Sequence, residues 1–250
     1  MHSLIIVILV LLASSCSKNE DTNNPPNEAS TILFNPSKTY GTVSDIDGNV
    51  YKTIVIGTQT WMAENLKTTK YRNGSPIKNV TDDNEWYNLN QPSVSERSAY
   101  CNYNNDANNS KVYGRLYNFY TAVDSRKIAP SGWHVPTDAE WTILTTFLGN
   151  KVGINIKEIG KSHWPEILDN ETNGSGFTAL PGGSRDVRGE FTGIGAKQLY
   201  DSGMSANWWS SSNGFAVTGL IRNMSISIGY NIISSDVPSR VGASIRCIKD

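Results

Sequence analysis

Ten consecutive residues, Gly132-Trp133-His134-Val135-Pro136-Thr137-Asp138-Ala139-Glu140-Trp141, constrain the fold most, because they join a tight loop to a fully signalled helix start. Thr137 can accept from the first free backbone N–H groups of a helix, and Glu140, three residues on, can reach back to the cap. Both halves of a capping box are therefore present. Pro136 stops the helix from extending backwards. Beyond the cap, Trp141, Leu144 and Leu148 fall on one apolar stripe, and Gly149 marks the end. The segment predicts one capped amphipathic helix. Trp133, His134, Thr137, Glu140 and Trp141 read as its structural motif, with His134 a hydrogen-bonding histidine in the loop before the cap.

The beginning of the chain has a different character. Leu4 to Leu12 is an aliphatic run too short to span a bilayer, followed by Ala13-Ser14-Ser15-Cys16. This predicts a signal peptide over 1–15 with Cys16 as the lipidated residue, its thiol carrying the membrane lipid that anchors the protein. Residues 16–39 are expected to be a flexible tether, since Ser17 to Ser30 is polar and rich in Asn and Pro. Ser17-Lys18-Asn19-Glu20-Asp21 resembles the acidic export signal of some Gram-negative lipoproteins. The expected address is the outer membrane, on its periplasmic side or at the cell surface.

The remaining chain, 40–250, suits one domain, because no linker-like composition shift divides it. A net charge of −1 and the lack of basic patches give no electrostatic reason to expect nucleic acid. Cys16 apart, Cys101 and Cys247 are the cysteines of the chain. In an oxidising compartment they are a candidate disulfide, worth roughly 4 to 5 kcal/mol in the loop-closure model. The alternative is two buried free thiols, and the sequence leaves both open.

Asp45-Ile46-Asp47-Gly48-Asn49 reads as a turn feeding the alternating strand Val50 to Ile56, with a second short strand through Trp61 and Met62 after Gly57. Leu116, Phe119, Tyr120 and Val123 have helical spacing, which predicts a first helix over 115–123 ahead of the capped one. Gly174 to Gly195 is glycine-rich and is expected to be a long structured loop. Strands are expected over 208–211, 215–221, 225–233 and 243–248, the last with Ile245 and Cys247 on one face and Arg246 on the other. The sum is an α+β arrangement: an N-terminal hairpin, two helices, a long irregular region and a C-terminal antiparallel sheet.

Ordered blocks along the chain carry a family likeness. They include Asp47-Gly48-Asn49-Val50-Tyr51, Gln59-Thr60-Trp61-Met62-Ala63-Glu64-Asn65-Leu66, Tyr113-Gly114-Arg115-Leu116-Tyr117-Asn118 and the Gly132 to Trp141 block. Gly176 to Arg185, Trp209-Ser210-Ser211 and Ile245 to Asp250 continue it. Over roughly Tyr40 to Asp250 the chain resembles the Fibrobacter succinogenes major paralogous domain family (FISUMP). The resemblance implies a C-type-lectin-like scaffold, similar in its His-Val-Pro-Thr-Asp-Ala-Glu-Trp and Gly-Gly-Ser-Arg blocks to formylglycine-generating, sulfatase-modifying proteins. Two positions depart from the family's pattern. Ala129 stands where many relatives have cysteine, which leaves the partner of Cys247 open, and Gly242-Ala243-Ser244 lacks the usual aromatic residue after glycine.

Fold likeness does not supply an activity. The sulfatase-modifying chemistry needs a late cysteine pair or copper-binding cysteines, and only Cys247 is late. A Cys101/His134 nucleophilic pair is outweighed by a structural role for His134, and His163 has no evident partner in sequence. Three histidines, one of them in the signal, do not make a zinc site. Asp45, Asp47 and Asn49 have half the oxygen spacing of a calcium loop but lack a downstream bidentate Glu. We expect no catalytic residue, no metal site and no cofactor. The candidate ligand-binding residues are Asn207, Trp208, Arg185 and Arg188. Strand alternation puts one of Trp208 and Trp209 in the core, leaving Trp208 as an aromatic platform for glycan or protein; the other reading packs both indoles inside. The expected function is a non-catalytic, lipid-anchored binding protein. A structural subunit of a surface complex and an enzyme related to sulfatase-modifying factors are the alternatives.

Overall fold

The computed structural model describes residues 31–164, 172–194, 204–225 and 231–250. The expected signal segment, the lipidation residue Cys16 and the tether as far as residue 30 lie outside the described residues. In chain order the first elements are β1 (Gly41–Ser44), β2 (Val50–Ile56), β3 (Gln59–Met62), β4 (Lys78–Asn79), α1 (Asp83–Asn88), β5 (Ala99–Cys101), α2 (Ala107–Tyr113), β6 (Leu116–Tyr117) and α3 (Phe119–Ala122). They are followed by β7 (Trp133–His134), α4 (Asp138–Leu148), α5 (Val152–Ile156), β8 (Ser184–Arg185), β9 (Phe191–Thr192), β10 (Ser205–Asn213), β11 (Thr218–Ser225), β12 (Ile232–Pro238) and β13 (Ile248–Lys249).

The Asp45–Asn49 turn forms because the Asp45 carboxylate accepts from the backbone N–H groups of Asp47 (2.9 Å) and Asn49 (3.0 Å), while Gly48 takes φ +83°. It joins β1 to β2, and β2 folds back on β3. The five-stranded sheet then runs β1-β2-β3-β13-β7, so the end of the chain lies between the early hairpin and the strand that precedes α4. Met62 N–H donates to Cys247 and Leu66 N–H to Ile245, which extends that closure past the two-residue strand. A second antiparallel sheet, β10-β11-β12, supplies the C-terminal layer.

Alternation in the last segment sorts the core. Ile245 and Cys247 pack with Tyr51, Met62, Tyr117 and Trp209, whereas Ile248 joins Trp61, Trp141, Phe177 and Trp208. The capping box is complete: Thr137 Oγ1 accepts from Glu140 N–H at 3.2 Å and Glu140 Oε2 accepts from Thr137 N–H at 2.7 Å. Such a cap contributes about 1 kcal/mol.

Several expectations are corrected. Residues 115–123 are not one helix: Leu116 and Tyr117 pair with β5, and the Asn118 side chain caps the four-residue α3 by accepting from Thr121 N–H. The longer helix ahead of α4 is α2 instead, ending at Gly114 (φ +78°), where a Cβ would come 2.6 Å from that of Asn65. Of the strand expected over 225–233, residues 226–230 lie outside the described residues; Ser225 is the last residue of β11 and Ile232 the first of β12, with Met224 paired to Ile232 across the two strands. Phe215 to Val217 form a hairpin tip, with Phe215 N–H donating to Asp236, so β11 begins only at Thr218. Only β13 (Ile248–Lys249) is regular strand within the expected 243–248 strand and its margin; Ala243 and Ser244 make isolated bridges. The glycine-rich region contains the β8–β9 hairpin. The last part of the expected tether is docked: Leu33 N–H donates to Glu158 at 2.6 Å and Asn35 Nδ2 to the carbonyls of Thr172 and Asn173.

Candidate functional site

A cleft of about 350 Å³ opens beside the 122–135 loop, lined by Val123, Lys127, Ile128, Trp133, His134 and Ser211 among others. The Arg72 guanidinium builds its wall, donating to the carbonyls of Ala129 (3.0 Å), Pro130 (2.7 Å) and Trp133 (2.6 Å). Three charge-assisted bonds to one loop hold its path, which passes through Lys127 at φ +58° and Gly132 at φ +76°. Also in the lining, Asp124 accepts from Arg126 at 2.6 Å, and the Arg126 side chain holds the Asp124 carboxyl down at about 2. Arg126 in turn stacks 4.0 Å from the Tyr71 ring.

His134 stands at the rim, about a third exposed. Its Nδ1 lies 2.6 Å from Asp250 Oδ1 and its Nε2 lies 2.9 Å from Glu140 Oε1. The capping-box glutamate therefore serves two partners, and the histidine links the end of β13 to the start of α4. Burial opposes its charge, but the hydrogen bonds it gives to Asp250 and Glu140 outweigh this and raise His134 above its ordinary range.

The residues expected to bind a ligand have other positions. Trp208 is fully buried, its indole N–H donating to Asn65 Oδ1 at 2.9 Å, so the platform reading is corrected in favour of both indoles packed inside. Simple alternation fails as a guide because this strand is covered on both faces: Trp209, also fully buried, donates to the Tyr117 carbonyl. Asn207 is buried between the Gly183 carbonyl, Ser205 and Asn223. Arg185 is fully buried between Trp86 and Phe191, donating to the carbonyls of Val80, Thr81 and Gly189 and paired with Asp83 at 2.6 Å. Arg188 alone of the four is exposed, on the β8–β9 turn where its N–H donates to Asp186.

Asn65 is the hub of this interior. Its amide donates to the Tyr113 carbonyl and Ser244, and its oxygen accepts from both Trp208 and Arg246. Arg246 is fully buried against Phe177 (4.2 Å) and bonded to the Phe177 and Thr178 carbonyls. Burial pulls it down to about 9, with the Glu64 charge opposing.

Cys101 and Cys247 are free thiols in different core clusters, so the disulfide reading is corrected to the alternative. Burial raises both, Cys101 to about 12 despite Arg185 beside it. His163, without an evident partner in sequence, lies against Glu158 in the buried interior. The Asp45 and Asp47 carboxylates meet donors, Asp47 Oδ2 accepting from Thr69 N–H (2.6 Å) and Asp45 from Asp47, Asn49 and Tyr51. Among the described residues no three His, Cys, Asp or Glu side chains are grouped to hold a metal ion.

Sequence reasoning missed Arg72, Asp124 and Asp250 as parts of the rim. Neither Arg72 nor Asp124 lies in a recognisable motif: the carbonyls that Arg72 meets are 57 to 61 positions away in sequence, and Asp124, although its partner Arg126 is only two residues on, reaches the cleft through the path of the loop. Asp250 sits at the end of a noted block, but only the β13–β7 pairing brings it to His134.

A search of curated proteins and a search of solved structures each found no match. The Fibrobacter succinogenes major domain matches residues 54–249, well over half of the chain and all of the strands that frame the cleft, and the protein belongs to that family.

Proposed function

We propose that this protein is a non-catalytic binding module with a C-type-lectin-like body, carried at the outer membrane by a lipid on Cys16 and recognising glycan or protein through its loops. The observation that carries this reading is the cleft of about 350 Å³, whose apolar wall and polar rim combine the two features a small recognition site requires. Its loop is braced by Arg72 from behind, so the surface is pre-formed and binding would cost little ordering. The interior position of Trp208 moves the proposed ligand contacts from β10 to this loop. Buried thiols raised by burial are poor nucleophiles, which favours recognition over cysteine chemistry of the sulfatase-modifying kind.

Glycan-array binding of the full chain, compared with Val123→Arg, tests the proposal. Val123 lines the cleft and is 42% exposed, so the substitution blocks the site without disturbing the core. Reproducible glycan binding lost by tenfold or more supports it; binding untouched by the substitution rejects the cleft. Loss of the lipid anchor by Cys16→Ala should move the protein to the soluble fraction, and continued sedimentation with membranes would remove the anchor.

Assembly into a surface complex is the second reading, and one observation favours it. Phe215 and Val217 are 85% and 78% exposed on a hairpin tip held by Asp236 and Thr218. Specific co-purification of one envelope protein, abolished by Phe215→Ser, would support assembly instead of glycan recognition.

A further inference from the structure

We infer that His134 is a proton-operated clasp at the cleft rim: as an imidazolium it ties the end of β13, through Asp250, to the capped start of α4, through Glu140, and losing the proton releases one tie.

Donors and acceptors around the ring set its protonation state. Thr137 gives both its N–H (2.7 Å) and its hydroxyl (2.8 Å) to Glu140 Oε2, which marks that carboxylate as an ionised acceptor. Its other oxygen lies 2.9 Å from His134 Nε2, while Asp250 Oδ1 lies 2.6 Å from Nδ1. An ionised carboxylate has no proton to give and can only accept, and a neutral imidazole has one N–H to give. One of the two contacts would then set lone pair against lone pair. Only the doubly protonated ring satisfies both.

Of the other charged groups on the neighbouring elements, three are already engaged. On α4, Asp138 is held by Arg222 (2.7 Å). In the cleft lining, Asp124 is paired with Arg126, and Arg72 is bonded to loop carbonyls, that of Trp133 included. Lys127, which lines the cleft, and Lys249, next to Asp250, are exposed to solvent. The two carboxylates in direct contact thus dominate the field on His134.

The location gives the clasp a consequence. The β13–β7 pairing consists of Ile248 with His134 and Lys249 with Trp133, extended by Asp250 N–H donating to the Gly132 carbonyl at 3.0 Å. This short ladder is one wall of the cleft, and the histidine sits across its end. A group raised in the folded state stabilises below its unfolded value and ceases to do so as pH rises through its folded value. For His134 the tie is complete below its ordinary 6.5 and weakens above its raised folded value. Glu140 is lowered, burial opposing and Thr137 and His134 prevailing, so its part is present above 4.5 and is lost as pH falls through the lower folded value. The clasp is therefore whole between about 4.5 and 6.5 and opens on the alkaline side.

Ring nitrogen-15 shifts of the full chain, labelled at histidine and followed against pH, test this directly. His134→Gln identifies the signal among the three histidines of the chain. The clasp requires a titration midpoint above 6.5, both ring nitrogens protonated at pH 6, and a midpoint that moves down toward 6.5 in Asp250→Asn. It also requires amide protection at Asp250, corrected for intrinsic exchange, to fall as pH passes the wild-type midpoint. A midpoint at or below 6.5, or one that Asp250→Asn leaves in place, overturns the clasp. None of these readouts needs a ligand, so the result is independent of whether the cleft binds glycan.

Discussion

The Asn65 interior and the cleft rim are built from equally conspicuous sequence blocks, yet they do opposite things with their polar groups. Around Asn65 every strong polar atom faces inward: Trp208, Arg246, Tyr113 and Ser244 converge on one amide that is only 2% exposed. At the rim, Arg72 turns its donors to loop carbonyls and so leaves a stable wall, while His134 and Asp250 remain open to solvent. The contrast teaches that residue type alone does not tell recognition from support. A tryptophan pair can serve the core, and a capping-box glutamate can also serve a surface histidine.

Interior substitutions should show the largest effects. Asn65→Ala strips acceptors from the Trp208 indole and the Arg246 guanidinium at once. Each buried donor left unpaired costs about 1 to 3 kcal/mol, so we expect a loss of roughly 3 to 5 kcal/mol in urea unfolding, or failure to accumulate folded protein. A loss under about 1 kcal/mol would show that the hub is replaceable, erasing the contrast with the rim. Trp208→Ala should cost a similar amount, about 3 to 5 kcal/mol, because it leaves a cavity among Trp141 and Phe177. Wild-type stability in that variant would return Trp208 to the surface.

Rim substitutions should be milder. Thr137→Ala removes the cap hydroxyl and one donor to Glu140, and should lower stability by about 1 kcal/mol in the same assay; a loss as large as that of Asn65→Ala would join the rim to the core energetically. Asp124, lowered to about 2 mainly by Arg126, contributes stability above its ordinary 3.8 that is lost as pH falls toward 2. Asp124→Asn should flatten that acid limb, and an unchanged acid profile would reject the pairing. Smallest of all is the effect of reductant. With Cys101 and Cys247 unbonded, melting with and without dithiothreitol should coincide, whereas breaking a native bridge typically costs about 2 to 5 kcal/mol.

Local chemistry made parts of this fold legible in advance. The Thr137–Glu140 box, the Asp45 turn and the alternation of Ile245, Arg246 and Cys247 depend on residues within a few positions of each other, and each stands where the chain's own pattern puts it. The 115–123 helix failed because its apolar spacing competes with Asn118, whose side chain caps a new start in the middle of the stretch. Register and burial were less legible still. Leu116 and Tyr117 are strand because β5 is beside them, and Trp208 is interior because Asn65, 143 positions earlier, meets its indole.

Residue order alone therefore established the family, the mixed α+β character, the capped helix and the early hairpin, since short-range hydrogen bonds and side-chain periodicity are written into neighbouring positions. Long-range packing chose which indoles are buried, kept the two thiols apart, and gathered Arg72, Asp124, His134 and Asp250 around one cleft. Those outcomes depend on distances between segments far apart along the chain, which no local pattern encodes.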